Sequence, residues 1–346
     1  MKKKSVYLEL LRIIAITLVV YNHTRTLGFD LYQALDNQSL TYYISMAFSV
    51  LCKCAVPVFF MISGAVLLGR QEPMRDLVRR RILHFALIWA LFVFLQYLRI
   101  VRLQGMETFR FSTYLAFLYS GNIIEPYWYL PAYMGYLLML PILRKLARSL
   151  QRTEYLYLFA LDGVFILVTA VQIFTGYRLN ISLALLSNTM FYPLAGYYLA
   201  NILQIKNRRA ACAAAVSALL AGVVVGCVLQ QIFHLKNGGY TDLAASAVTD
   251  IIAAALFMLV KEIAGEIRTE ATAGKIIVLA GSSVFGTYLI EDVVRNQYER
   301  VCVYLNQYIN PMLSCWIFVL LSVVTSIVVI LIVNKGLALL RIRFRI

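Results

Sequence analysis

The sequence predicts an all-α polytopic membrane protein with about ten transmembrane helices, and three observations carry that expectation. Of its 346 residues, 61% are hydrophobic, against about 45–50% in soluble domains. Only 14% are charged, so the natural solvent of most of its surface is lipid. Apolar runs also recur along the whole chain at the roughly 20 residues that one crossing requires. These runs are continuously apolar and exceed the roughly 10-residue alternating strands of a membrane barrel. An ordinary globular enzyme is excluded.

The first run, 6–26, follows Lys2, Lys3 and Lys4 as a secretory leader would. However, Glu9 and Arg12 interrupt its apolar core and no small-x-small cleavage site follows, so it reads as a retained helix. The second, 43–68, carries Lys53 and Pro57. The third, 82–101, follows the basic run Arg79, Arg80, Arg81, and the fourth, 127–143, opens on Trp128 and Tyr129, rings suited to a membrane interface. Runs at 155–175, 183–203, 210–234, 243–262, 276–294 and 313–335 complete the set. No long loop, Gly/Ser linker or internal repeat divides the chain, so residues 1–346 are expected to form a single membrane domain with no appended soluble domain.

A net charge of +15, from 32 Lys and Arg against 17 Asp and Glu, raises the question of nucleic acid. The cations instead sit in short clusters between apolar runs. Placing Lys2–Lys4, Arg70–Arg81, Arg144–Arg152, Lys206–Arg209, Lys261–Lys275 and Lys335–Arg345 on the cytoplasmic side collects most of them there. This bias predicts cytoplasmic N- and C-termini and an even number of spans, and needs no nucleic acid. Cysteines 52, 54, 212, 227, 302 and 315 lie mostly inside the spans without metal or redox spacing. With histidines dispersed at 23, 84 and 234, no metal site is expected.

Ionisable groups inside spans are costly and mark function by default, and the first helix holds Glu9, Arg12 and His23. At about 100° per residue, Arg12 and His23 lie only ~20° apart in azimuth and ~16 Å apart along the axis. Glu9 precedes Arg12 by three residues, the spacing of a helical ion pair. One reading makes Glu9 and Arg12 snorkel to the headgroups while His23 marks the outer boundary. The other makes the stripe the lining of a pore, with His23 as general base, since imidazole titrates near neutral pH. Lys53 should cost about 2.5–3.5 kcal/mol near a span centre unless paired or hydrated. Its candidate partners are Glu9, Asp162 and Glu291. Asp162 and Asp250 fit pore lining and helix-end hydration equally, and His234 is placed in a solvated outer connection.

Five segments, read together, resemble the acyltransferase-3 family of integral-membrane O-acyltransferases, which modify bacterial envelope sugars. They are YLELLRIIAITLVVYNHT; AVPVFFMISGAVLLGR, with Pro57, Phe59, Phe60, Ser63 and Gly64; RDLVRRRILHFALIW; EPYWYLPAYMGYLLMLPIL; and SSVFGTYLIEDVV. Two departures from the family pattern stand out. His84 and Phe85 stand where the family usually places proline, and Glu291 stands where its ninth helix usually ends in histidine.

The resemblance implies transfer of an acyl group, usually acetyl, from cytoplasmic acyl-CoA to a hydroxyl of an envelope glycan or glycolipid at the bacterial cytoplasmic membrane. In that frame His23 deprotonates the acceptor or carries the acyl group transiently, with Glu9 and Arg12 a buried pair shaping the inner part of the pore. Arg79, Arg80 and Arg81 are either topological charges or a cationic mouth for the donor's phosphates. Lys53 and Ser63 line the cavity, Trp128 and Tyr129 offer an aromatic wall or an interfacial anchor, and Glu291 accepts a proton or orients another group. The implied partners are acyl-CoA as donor substrate, the acceptor glycan, the lipid bilayer and a separate extracytoplasmic transferase. No permanently bound cofactor is expected. The competing readings are a transporter or flippase, whose inverted repeats are not visible, and a non-catalytic sensor module.

Overall fold

The computed structural model describes residues 5–103, 109–121, 123–181 and 183–339. Lys2, Lys3, Lys4, Arg341, Arg343 and Arg345, counted above among the cytoplasmic charges, lie outside them. Among the described residues there is no strand. The helices are α1 (Val6–Asn22), α2 (Leu40–Cys52), α3 (Ala55–Leu67), α4 (Met74–Leu77), α5 (Leu83–Leu103), α6 (Phe111–Ser120), α7 (Tyr129–Ser149) and α8 (Arg152–Thr175). They continue as α9 (Phe191–Tyr197), α10 (Arg208–Asn237), α11 (Asp242–Ser246), α12 (Thr249–Ala264), α13 (Thr272–Gly281), α14 (Val284–Leu305) and α15 (Pro311–Leu339). The chain forms two compact units, one of Met1–Val66 with Leu150–Ile346 and one of Leu67–Ser149.

Six stretches are long and apolar enough to cross a membrane: Leu40–Leu67, Met74–Leu103, Arg152–Thr175, Arg208–Asn237, Asp242–Ala264 and Pro311–Leu339. The pair α13–α14, bent by 63° at a short break, makes a seventh. The expectation of ten is therefore corrected among the described residues, and each shortfall has a cause. The helix of the 6–26 run stops after 17 residues and holds Glu9 and Arg12. Beyond the apolar 127–143 run, α7 continues through Arg144, Lys145 and Arg148, and it carries Pro141 within it. The 183–203 run is broken into a 3-10 turn at Ala184–Leu186, the short α9 and a π turn at Tyr198–Ile202. A hydropathy count sees none of these interruptions.

Local sequence sets the helix ends. Gln151 and Glu154 close a reciprocal capping box at the start of α8, satisfying two amides that a helix N-terminus leaves open. Gly176 and Gly238, at φ +78° and +71°, end α8 and α10 in the left-handed conformation that other residues adopt at a cost.

In the larger unit α1 packs against α2, α12, α13, α14 and α15, which buries Leu11, Ala15, Ile16, Val20 and Tyr21 completely. Outward faces stay apolar: Val164, Leu167 and Val171 on α8, Leu220, Val224 and Val228 on α10, and Leu320, Val324 and Ile332 on α15 are exposed. Lipid tails are as apolar as leucine, so helix association there depends on close packing rather than on escape from water. Gly64 and Gly196 supply that closeness at the α3–α9 crossing. A Cβ on Gly64 would sit 1.9 Å from the Pro193 carbonyl oxygen, and one on Gly196 2.0 Å from that of Met61.

In the smaller unit a π turn, Val78–Ile82, holds the three consecutive arginines and leads directly into α5. Leu83, Leu87, Leu91, Leu95 and Leu98 are exposed on α5, their spacing of three or four residues placing them on one helical stripe. Tyr97 is fully buried between the rings of Phe109 and Phe117, at 5.2 and 5.6 Å.

Candidate functional site

His23 is the residue on which α1 ends, its backbone N–H still donating to the Val19 carbonyl at 3.1 Å. The chain that follows is fastened on both sides. Thr24 Oγ1 donates to the Tyr21 carbonyl at 2.6 Å and accepts from the Phe29 amide at 2.9 Å. Tyr21 donates to the Gly28 carbonyl at 3.1 Å and stacks on Trp316 at 4.9 Å. Arg25, at φ +48°, is the only non-glycine residue with positive φ among the described residues, a conformation that costs about 1–2 kcal/mol and that this fastening sustains. The backbone carrying His23 is thus held from both directions.

α14 brings Glu291 to it. His23 Nδ1 lies 2.7 Å from Glu291 Oε1, and the two side chains are 13% and 1% exposed. With Nδ1–H donating to the carboxylate, the lone pair of Nε2 is left for a substrate, the geometry of a base held by an orienting acid. Arg295, one turn further along α14, places Nε 3.4 Å from Glu291 Oε2 and donates from Nη2 to Asp292 Oδ1 at 2.9 Å. This cation offsets the cost of burying the Glu291 charge. Sequence reading gave Arg295 no role, although its spacing of four residues from Glu291 was the available signal.

Glu9 and Arg12 form the expected pair, Nη1 to Oε1 at 2.6 Å, with Glu9 3% and Arg12 29% exposed. Glu9 Oε2 is buried without a hydrogen-bond partner. A Cβ on Gly281, at the end of α13, would lie 2.6 Å from that oxygen, so only glycine lets α13 pass. Ser63 is half-buried on α3 next to the Gly64 crossing.

Lys53 sits in the break between α2 and α3, with Nζ 2.9 Å from Asp242 Oδ1 and 4.6 Å from the centre of the Phe29 ring. The expectation of Glu9, Asp162 or Glu291 as its partner is corrected. Asp242 opens α11 and is 83% exposed, so the Lys53 charge is met from the solvent side. Tyr192 donates its hydroxyl to Asp250. His234 lies within α10 rather than in a connection, stacked on Tyr240 at 4.3 Å.

In the smaller unit the arginine run is largely committed to neighbours. Arg81 binds Glu72 through two bonds, Nε–Oε1 at 2.7 Å and Nη2–Oε2 at 2.9 Å. Arg144 of α7 adds Nη2–Oε1 at 2.7 Å and donates from Nε to the Leu67 carbonyl at 3.0 Å. The Arg81 bonds foremost, with those of Arg144, outweigh burial and hold the Glu72 carboxyl down at about 2, from an ordinary 4.5. Arg80 pairs with Asp76 at 3.3 Å, and Arg79 is exposed. Glu72 and Arg144, central to this cluster, were not singled out from the sequence. Trp128, 45% exposed, closes a 3-10 turn at Glu125–Trp128, and Tyr129 opens α7 directly after it. Tyr129 stacks on Tyr133 at 5.6 Å, and Tyr133 meets Tyr136 at 5.6 Å and Phe85 at 5.1 Å, an aromatic ladder on one helix face. No group of three or more His, Cys, Asp or Glu side chains that would hold a metal occurs among the described residues.

Residues 5–334 match the family model described as an acyltransferase domain, nearly the whole chain. The chain belongs to the acyltransferase-3 family. No curated protein and no solved structure matches it. Family membership and the long apolar helices make it a multi-pass membrane protein with an acyltransferase domain. In this acyltransferase-3 member the residue bonded to His23 is Glu291 of α14.

Proposed function

We propose that the protein is an integral-membrane O-acyltransferase that moves an acyl group, acetyl by family default, from cytoplasmic acyl-CoA to a hydroxyl of an envelope glycan or glycolipid. The bias of basic clusters supports cytoplasmic termini and residence in the bacterial cytoplasmic membrane. The observation that carries the catalytic reading is the 2.7 Å contact between His23 Nδ1 and Glu291 Oε1, inside a family of acyl-transferring enzymes.

In the reaction His23 Nε2 takes the proton of the acceptor hydroxyl as its oxygen attacks the thioester carbonyl. A C–O bond forms, the C–S bond breaks, and the imidazolium returns the proton to the leaving thiolate, giving an ester and free CoA thiol. Glu291 keeps the imidazole in one tautomer and stabilises its cationic form, and Arg295 sets the carboxylate. Replacing His23 by alanine in the chromosome, with membrane abundance confirmed by immunoblot, tests the reading through alkali-released acyl groups from fractionated envelope glycans. One fraction is expected to lose its ester and so to name the acceptor. Esters retained in every fraction of both this strain and a strain lacking the whole gene sink the proposal.

A further inference from the structure

A cavity of about 410 Å³ in the smaller unit is lined by none of the three arginines in which the sequence suggested an anion site, although Arg81 bonds to Glu72 in its wall. It opens between the 70–74 turn and the last turns of α7, and Arg70, Arg144, Lys145 and Arg148 all line it, against one carboxylate, Glu72. That carboxylate is already satisfied by Arg81 and Arg144. Lys145 and Arg148 are exposed, and Arg148 spends only one donor on the Arg70 carbonyl, at 2.6 Å. Met74, Leu77 and Pro141 supply apolar wall beside the cations, which strengthens their field relative to bulk water.

Complementing the dipole of α7 would account for Lys145 and Arg148 in its last turns. It does not account for Arg70 arriving from a different segment, nor for Arg144, a cation only 8% exposed held at the cavity edge. Glu72 meets the charge of Arg144, while the exposed Lys145 and Arg148 face the same concave surface, where an anion would ease their mutual repulsion. Guanidinium forks match phosphate oxygens in pairs, and basic pockets beside membrane helices bind phosphate headgroups. We propose that this cavity is a binding site for phosphate groups. They come either from the nucleotide end of a soluble donor or from an anionic lipid headgroup. The first source rests on the acyl-CoA reading above; the site itself does not.

The test uses the full chain in phosphatidylcholine nanodiscs, titrated by calorimetry with adenosine 3′,5′-bisphosphate and with adenosine as the phosphate-free control. Thermal stability is compared between these discs and discs containing phosphatidylglycerol. Binding of the bisphosphate but not adenosine, weakened about tenfold or more by Lys145→Gln with Arg148→Gln, supports the site and a soluble source. A phosphatidylglycerol-dependent rise in stability, or competition by that lipid with the bisphosphate, supports the lipid source if the double variant abolishes it. Lys206→Gln with Arg209→Gln removes the same charge from the larger unit and is expected to leave both readouts within about twofold. If the double variant misfolds by circular dichroism, Lys145→Gln alone carries the test. No phosphate binding and no lipid effect, or effects that the cavity variants leave unchanged, overturn the proposal. None of these readouts requires acyl transfer, so failure here is separable from failure of the enzymatic reading.

Discussion

Replacing Glu72 by glutamine keeps the side chain's shape and removes the charge that three hydrogen bonds from Arg81 and Arg144 share. The amide oxygen still accepts from one side, but its NH2 now faces an arginine N–H that has lost its acceptor. Breaking a buried pair by removing one partner costs about 3–5 kcal/mol. Arg144 is 8% exposed and meets that condition, whereas Arg81 at 22% and Glu72 at 17% are partly hydrated. The expected loss is therefore about 3 kcal/mol, the low end of that range. Because the folded carboxyl is held at about 2 rather than 4.5, its contribution is fully present above the ordinary carboxylate range. It is lost as pH falls through the folded value. The wild-type advantage over Glu72→Gln should stay constant from neutral pH to about 5, shrink below about 4.5 and vanish near 2. Reversible unfolding in mixed detergent, followed by the fluorescence of Trp89 and Trp128 in the same unit, measures it. A difference under about 0.5 kcal/mol at neutral pH, the scale of an exposed pair, or one that does not change with acid, would refute the buried-network argument.

Glu291→Gln should lower acyl transfer by about 10²–10³-fold with membrane abundance unchanged, and Glu291→Asp should restore part of it; equal activity in all three would remove the orienting role. Arg295→Met is expected to reduce turnover while leaving apparent acceptor affinity near wild type, read from initial rates over acceptor concentration. Lys53→Met should change stability by less than about 1 kcal/mol, because its partner Asp242 is 83% exposed, and thermal unfolding checks it. Gly64→Val should abolish a monodisperse peak in size-exclusion chromatography, since its first carbon would meet the Pro193 carbonyl at 1.9 Å.

Helical membrane character was legible in the sequence because hydrophobic composition and run length are local properties. The Glu9–Arg12 pair was legible for the same reason, its geometry being set by helical spacing within one segment. Glu291 stood out as a buried charge and as a departure from a family pattern, but its bond to His23 spans 268 positions, beyond any local rule. Lys53 shows the same limit, since Asp242 lies 189 positions away and the break at the end of α2 decides which way its side chain meets the chain. Glu72 carried no sequence signal, being one carboxylate in a basic turn. The overcount of spans arose because hydropathy averages across interruptions such as the π turn at Tyr198–Ile202 and the charged residues Arg144, Lys145 and Arg148 that α7 carries beyond its apolar run.

The crossing of α3 and α9 joins Gly64 to Pro193 and Gly196 to Met61, partners separated by roughly 130 residues of chain. During synthesis α3 therefore emerges with a notch cut for a helix that does not yet exist. At about 5–20 residues per second, that notch waits on the order of ten seconds for α9. In that interval only lipid, the insertion machinery or an earlier helix can occupy it. The two glycines thus impose a timetable on biogenesis: whatever shelters α3 first must be displaced before the larger unit can close.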